Sequence, residues 1–287
     1  MSTKVSKRAF YVFVFSLASI AFAKPIKLNL NQNVSGPYKT GYLTSDCTID
    51  NKASECLIDT GALNSLLKYD EFKDYKTVGK AVLSSVHPKT QTIDLIKISN
   101  FQIGSISLGS HIFGRITVNM NSLGQNKNII GNDIYWGNYL YFNFSNETLD
   151  INGEYPTLED KFELISYKNR AIGMSISLGS EQAVEAFWDT GSAMTMVSKR
   201  FIKSNPSDFE FVGIVFVEDV LGTLVQAYIL KTNFVIGGKV FENINVIEID
   251  FSTIKKIDPN IDVVIGFNIY SKVNWLIDYD RLVWGIK

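Results

Sequence analysis

Along this chain apolar and polar positions alternate in short runs, each cut by Gly, Pro, Asn or Asp, and stretches with a helical repeat are few. Such a pattern predicts many half-buried strands joined by turns. Residues 26–30 (Ile-Lys-Leu-Asn-Leu) alternate strictly and read as the first strand. Residues 41–49 and 55–59 read as a hairpin around a polar turn centred on Asn51 and Lys52, and residues 66–75 leave room for a short helix. Residues 81–83 and 93–96 flank a second, projecting hairpin, because Pro88 between them forbids a continuous strand. Further strands are expected at 101–104, around Ile112, at 116–118, from 129, and at 139–144 and 148–151.

The same order of landmarks then returns. Asp189 lies 130 positions after Asp59, Phe234 and Gly237 lie 133 after Phe101 and Gly104, and Gly266 lies 135 after Gly131. A near-constant offset across three landmarks points to an internal duplication, so the chain is expected to form two similar, mainly β lobes. The polar, Pro-containing connector 155–160 divides them into 24–157 and 158–287.

At 57–65 the chain reads Leu-Ile-Asp-Thr-Gly-Ala-Leu-Asn-Ser, and at 187–195 Phe-Trp-Asp-Thr-Gly-Ser-Ala-Met-Thr. In both, an apolar pair runs into Asp-Thr-Gly, with a hydroxyl residue four places beyond the glycine. A buried strand thereby delivers one carboxylate into a tight turn that glycine allows to close. Two such deliveries suggest a facing pair. Two facing carboxyls cannot both ionise cheaply, so they share a proton and can serve as acid and base together.

The first 23 residues are set apart: Lys4, Lys7 and Arg8 precede an acid-free apolar run, 9–23, that ends in Ala-Phe-Ala. These are the basic, apolar and small-x-small parts of a secretory signal, so 1–23 is expected to be removed and the mature chain exported, to a periplasm or beyond the cell. The rival reading, a membrane anchor, needs about 20 apolar residues, more than this run supplies. Taking those three positive charges from 28 basic against 29 acidic residues leaves a formal charge of −4. That balance argues against a nucleic-acid partner, and no later apolar run is long enough to span a membrane. Cys47 and Cys56, the only cysteines, would stand directly opposite each other across the polar turn. A cross-strand disulfide and a pair of buried thiols are both open. No Cys or His spacing suggests a metal site, His87 and His111 read as exposed loop residues, and Trp188, Trp275 and Trp284 read as core.

The paired segments resemble those of the aspartic peptidases, the group of the pepsins and retropepsins. That family carries apolar-apolar-Asp-Thr-Gly-[Ser/Ala] segments, each followed later in its lobe by an apolar-apolar-Gly segment. Here the first stands at 57–65 and 187–195, the second at Ile129-Ile130-Gly131 and Val264-Ile265-Gly266, so the resemblance covers both halves in order. It implies a bilobal pepsin/retropepsin-like acid protease fold in a single chain, monomeric and without a cofactor, that hydrolyses peptide or protein substrates. Asp59 and Asp189 would activate a water, Thr60 and Thr190 would bond across to the opposing loop, and the amides of Gly61 and Gly191 would orient the carboxylates. Ser192 would offer a hydroxyl to Asp189 where Ala62 offers none to Asp59, which would leave the shared proton on Asp59. A flap is expected at 82–94, with Ser85 and Val86 against substrate, and its counterpart at 218–223, with Val220 and Leu221; neither carries the Tyr of pepsin flaps. The other reading is a peptidase fold without turnover that binds peptides or proteins in the cell envelope.

Overall fold

In the computed structural model the described residues are 24–33, 38–84, 90–104, 106–116, 127–167, 170–179, 182–218 and 224–287. The expected signal, 1–23, and the candidate flap residues Ser85, Val86, Val220 and Leu221 lie outside them, as does His87. The protein is mainly β, and its described strands form three sheets.

One eight-stranded sheet is drawn wholly from the first half of the chain, in the spatial order Asn29–Asn33, Thr40–Ile49, Lys52–Ile58, Asn128–Ile130, Leu66–Lys68, Ile106–Ile116, Thr90–Ile103 and Thr77–Ser84. A second, from the second half, runs Ile165–Ser166, Ile172–Leu178, Gln182–Trp188, Ile261–Ile265, Met196–Ser198, Lys239–Ile249, Leu224–Ile236 and Glu210–Glu218. The two orders are the same, position for position. In each, the second strand also pairs with the seventh, so the sheet curls back on itself.

What matters for the site is the middle of each sheet. Strand Asn128–Ile130 lies parallel to Lys52–Ile58 on one side and antiparallel to Leu66–Lys68 on the other, so the loop 59–65 must cross over its end. Strand Ile261–Ile265 is flanked in the same way by Gln182–Trp188 and Met196–Ser198, and the loop 189–195 crosses there. Both central strands are buried throughout and apolar except at Asn128 and Asp262, as strands covered on both faces tend to be.

A six-stranded antiparallel sheet takes strands from both halves, in the order Ile26–Lys27, Thr148–Ile151, Tyr139–Asn143, Trp275–Asp278, Val283–Ile286 and Phe162–Glu163. The halves meet where Leu140 pairs with Ile277. Beneath this seam Trp188, Trp275 and Trp284 are fully buried, as their reading as core residues expected, and the rings of Trp188 and Trp275 lie 4.6 Å apart. Because Trp188 immediately precedes Asp189, the strand that delivers the second carboxylate is anchored on the shared sheet.

Three expectations are corrected. Residues 26–30 do not form one strand: Ile26–Lys27 joins the six-stranded sheet, and the chain then turns into Asn29–Asn33 of the first eight-stranded sheet, with Leu28 buried at the break. His111 is no loop residue but lies within strand Ile106–Ile116. The hairpin turn is centred on Asp50 and Asn51, both in the left-handed region (φ 44° and 66°), which suits a two-residue connection. That register sets Cys47 opposite Ser54 and Cys56 opposite Ser45, so the cysteines are diagonal neighbours on one face rather than directly opposed. Their Cα atoms are 5.9 Å apart and a disulfide joins them.

Replacing both cysteines by Ser is expected to lower the unfolding free energy by about 2–3 kcal/mol, the chain-entropy value for so short a loop. The urea midpoint measures it; a midpoint equal to that of the native protein would show that the crosslink adds nothing.

Candidate active site

The two Asp-Thr-Gly loops are brought face to face. Gly61 lies so close to Asp189 that a Cβ on it would sit 2.4 Å from the carboxyl carbon, and a Cβ on Gly191 would sit 2.3 Å from that of Asp59. Neither glycine is in the left-handed region. Glycine is required here for space, because each loop's backbone is the wall against which the other loop's carboxylate rests.

Threonine side chains fasten the loops to each other. The Thr60 amide donates to Thr190 Oγ1 and the Thr190 amide to Thr60 Oγ1, both at 3.0 Å. Each hydroxyl then donates onward across the interface, Thr190 to the Ile58 carbonyl at 2.8 Å and Thr60 to the Trp188 carbonyl at 3.4 Å. Both threonines are buried, so every one of these groups would be costly to leave unpaired.

The carboxyl groups of Asp59 and Asp189 face each other closely enough that each bears on the other's titration. Two facing carboxyls cannot both ionise cheaply, so the pair favours holding one proton between them. Burial pushes the Asp59 carboxyl above the ordinary carboxylate range, against the pull of the Ala62 and Gly61 amides. Burial and the charge of Asp59 push that of Asp189 well above it, the Gly191 and Ser192 amides opposing. The geometry accounts for the difference. Asp59 Oδ1 accepts the Gly61 and Ala62 amides at 3.0 and 2.8 Å, whereas Asp189 Oδ1 takes one bond of that quality, from Gly191 at 2.8 Å. These amides favour charge on Asp59, and the hydroxyl donor to Asp189 that was expected from Ser192 is missing. The reason is that the Ser192 hydroxyl turns away and donates to the Met194 carbonyl at 2.7 Å.

Beneath each loop lies a second tier of bonds. In the first half the Asp59 amide donates to Ile130 O, the Asn132 amide to Ala62 O and the Gly131 amide to Ser65 Oγ, at 2.9, 2.7 and 2.9 Å. In the second half the Phe267 amide donates to Ser192 O and the Gly266 amide to Thr195 Oγ1, at 2.9 and 3.1 Å. Gly131 and Gly266 are again demanded by space, since a Cβ on either would meet the backbone at 62–64 or 194–195 within 2.7 Å. The hydroxyls of Ser65 and Thr195 are tied to Asp133 and Asn268, each two places beyond its glycine, at 2.7 and 2.9 Å. The Tyr270 hydroxyl adds a bond to Thr190 O at 2.8 Å. Asp133, Asn268, Tyr270 and His111 were not picked out from the sequence. The only signal for the first two is the recurrence of a hydroxyl residue four places after each Asp-Thr-Gly glycine, which needs a buried partner.

No protein-family model matches the chain, and no curated protein matches it. What the site does must come from its own chemistry. Among the described residues no His, Cys, Asp and Glu side chains cluster in a way that could hold a metal ion.

Two outcomes follow from this geometry. Thr190→Val removes the acceptor of the Thr60 amide and the donor to Ile58, so it should cost about 1–3 kcal/mol, while Thr190→Ser should retain most of the stability in the same denaturation series. The second concerns pH. The native pair holds its proton more tightly than the unfolded chain does, so above about pH 4 the native state binds more protons and stability falls as pH rises through the raised titration. Asp189→Asn removes that liability: the variant should be more stable than the native protein at pH 7, with the difference vanishing near pH 3. A variant less stable at pH 7 than the native protein would contradict this.

Proposed function

We propose that this protein is an aspartic endopeptidase of the pepsin/retropepsin type, with two lobes in one chain and a dyad formed by Asp59 and Asp189. The observation that carries the reading is the pair of carboxyl groups that equivalent loops of two equivalent sheets bring face to face. Such a pair supplies a base and an acid at the same moment, which is what addition of water to a peptide carbonyl needs. Asp59, the ionised member, takes a proton from the attacking water, and Asp189 gives its proton to the carbonyl oxygen. The roles then reverse as the amine leaves, so no covalent intermediate and no cofactor enter the scheme. The dyad titrates as a unit, and the limbs of its pH–rate profile belong to the pair.

In both halves the eight-stranded sheet ends in a long antiparallel pair, Thr77–Ser84 with Thr90–Ile103 and Glu210–Glu218 with Leu224–Ile236. On one face of each, apolar side chains turn toward the buried clusters near the loops: Ala81 and Leu83 pack with Leu57 and Leu66, and Val215 and Val217 lie with Leu63 and Met196. These hairpins are the candidate flaps, and their faces favour an extended peptide or protein substrate with apolar side chains beside the cut. The Cys47–Cys56 bond fits an oxidising compartment and so supports export of a monomeric enzyme, periplasmic or secreted. No helix among the described residues is long and apolar enough to cross a membrane.

Digestion of casein and a peptide library between pH 3 and 7 tests the assignment. Asp59→Asn and Asp189→Asn are each expected to lose at least about a thousandfold in kcat/KM, and a statine-type mimic should block the native protein. Cleavage that persists in both variants would remove the dyad mechanism. Tight binding of the mimic by a native protein that never cleaves would favour a peptide-binding role instead.

A further inference from the structure

The second-tier bonds through Gly131 and Gly266 and through the amides after them recur in both halves, but the partners of the two loop hydroxyls differ. Asn268 Oδ1 accepts from the Thr195 amide and hydroxyl, and its Nδ2 donates at 2.6 Å to the main-chain carbonyl of Asn245, on strand Lys239–Ile249. In the first half the equivalent residue is Asp133. Its Oδ1 accepts from the Ser65 hydroxyl at 2.7 Å, and its Oδ2 lies 2.7 Å from His111 Nε2, on strand Ile106–Ile116, which occupies the matching place in its sheet. A main-chain carbonyl that orients an amide has been replaced by an imidazole that orients a carboxylate.

The hydrogen-bond inventory closes in only one way. An ionised Asp133 can only accept, so His111 donates through Nε2–H, and the Ser65 hydroxyl donates to Oδ1 while it accepts the Gly131 amide. Ser65 is fully buried and its carbonyl accepts the Gly114 amide at 3.0 Å, so the residue has no freedom to find other partners. The imidazole is itself held edge-on against Phe113, ring centres 5.2 Å apart. Without His111 the carboxylate loses the donor that holds it, and the loop carrying Asp59 loses the rigid floor that the opposite loop retains.

We propose that His111 is a positioning residue for Asp59, acting through Asp133 and Ser65, and that Asp133 and His111 together do for the first loop what Asn268 and the Asn245 carbonyl do for the second. This rests on the dyad reading for its catalytic consequence, though not for its structural one. The test uses the full chain and two variants, His111→Leu, which removes the donor, and His111→Gln, which restores an N–H at similar reach. With a peptide substrate, His111→Leu should lower kcat by about tenfold, the scale of a small misplacement of a reacting group, with KM within about twofold, and His111→Gln should recover most of the loss. Amide hydrogen exchange gives a readout that needs no turnover: in His111→Leu the Gly131 and Asn132 amides should exchange about tenfold faster, while Gly266 and Phe267 stay unchanged. Should the native protein cleave nothing, the exchange arm still decides. Unaltered exchange at Gly131, equal loosening in both halves, or a Gln variant no better than Leu would each overturn the proposal.

Discussion

Two acidic side chains held against each other in a largely desolvated site repel unless something stronger keeps them there, and in this molecule that something is the reciprocal bonding of Thr60 and Thr190. Each threonine satisfies the other's amide and then spends its own hydroxyl proton on a carbonyl of the opposite half. Since both are buried, the pair cannot relax by turning to water. Glycines 61 and 191 are the corollary: they leave room for the carboxylates that the threonines bring together. Packing the carboxyls of Asp59 and Asp189 so closely in itself favours holding a single proton between them.

Nearly all of this was legible because the chain states it twice. A single Asp-Thr-Gly is a turn; two of them at an offset of 130 positions, each with a later apolar-apolar-Gly partner, suggest a duplication, and the two eight-stranded sheets of equal strand order accord with it. Alternation located most strands but could not say which sheet each would join. Residues 26–30 alternate without a break, yet they serve two sheets, because strand Thr148–Ile151 captures Ile26 and Lys27 first. The cysteine register failed for a related reason. A turn on Asp50 and Asn51 closes with two residues in the left-handed region, and nothing in alternation alone distinguishes that turn from one a residue later.

The site itself was read less completely than the fold. Ser192 was expected to face its carboxylate, but a hydroxyl in a tight loop has nearer choices, and the Met194 carbonyl two residues on was one of them. Local competition of that kind is invisible in a motif. The backbone amides turned onto each carboxylate differ in number between the loops, a property of loop shape rather than of residue identity. His111 was read as an exposed loop residue because no carboxylate cluster stands near it in the sequence; its partner Asp133 is 22 positions on. The two halves thus diverged where side chains could be exchanged without altering the strand order, and stayed alike where glycine and threonine leave no alternative.

The central sheet has a consequence for how the molecule comes into being. Synthesis runs from residue 1 onward, and a nascent chain that has reached residue 160 holds one carboxylate and a six-stranded sheet of which only three strands exist. Trp188 has no indole to lie against until Trp275 has been made, and strand Tyr139–Asn143 presents a bare edge until Trp275–Asp278 arrives. The seam between the halves therefore acts as a timer: the ribosome must deliver almost the whole polypeptide before the two aspartates can be held face to face.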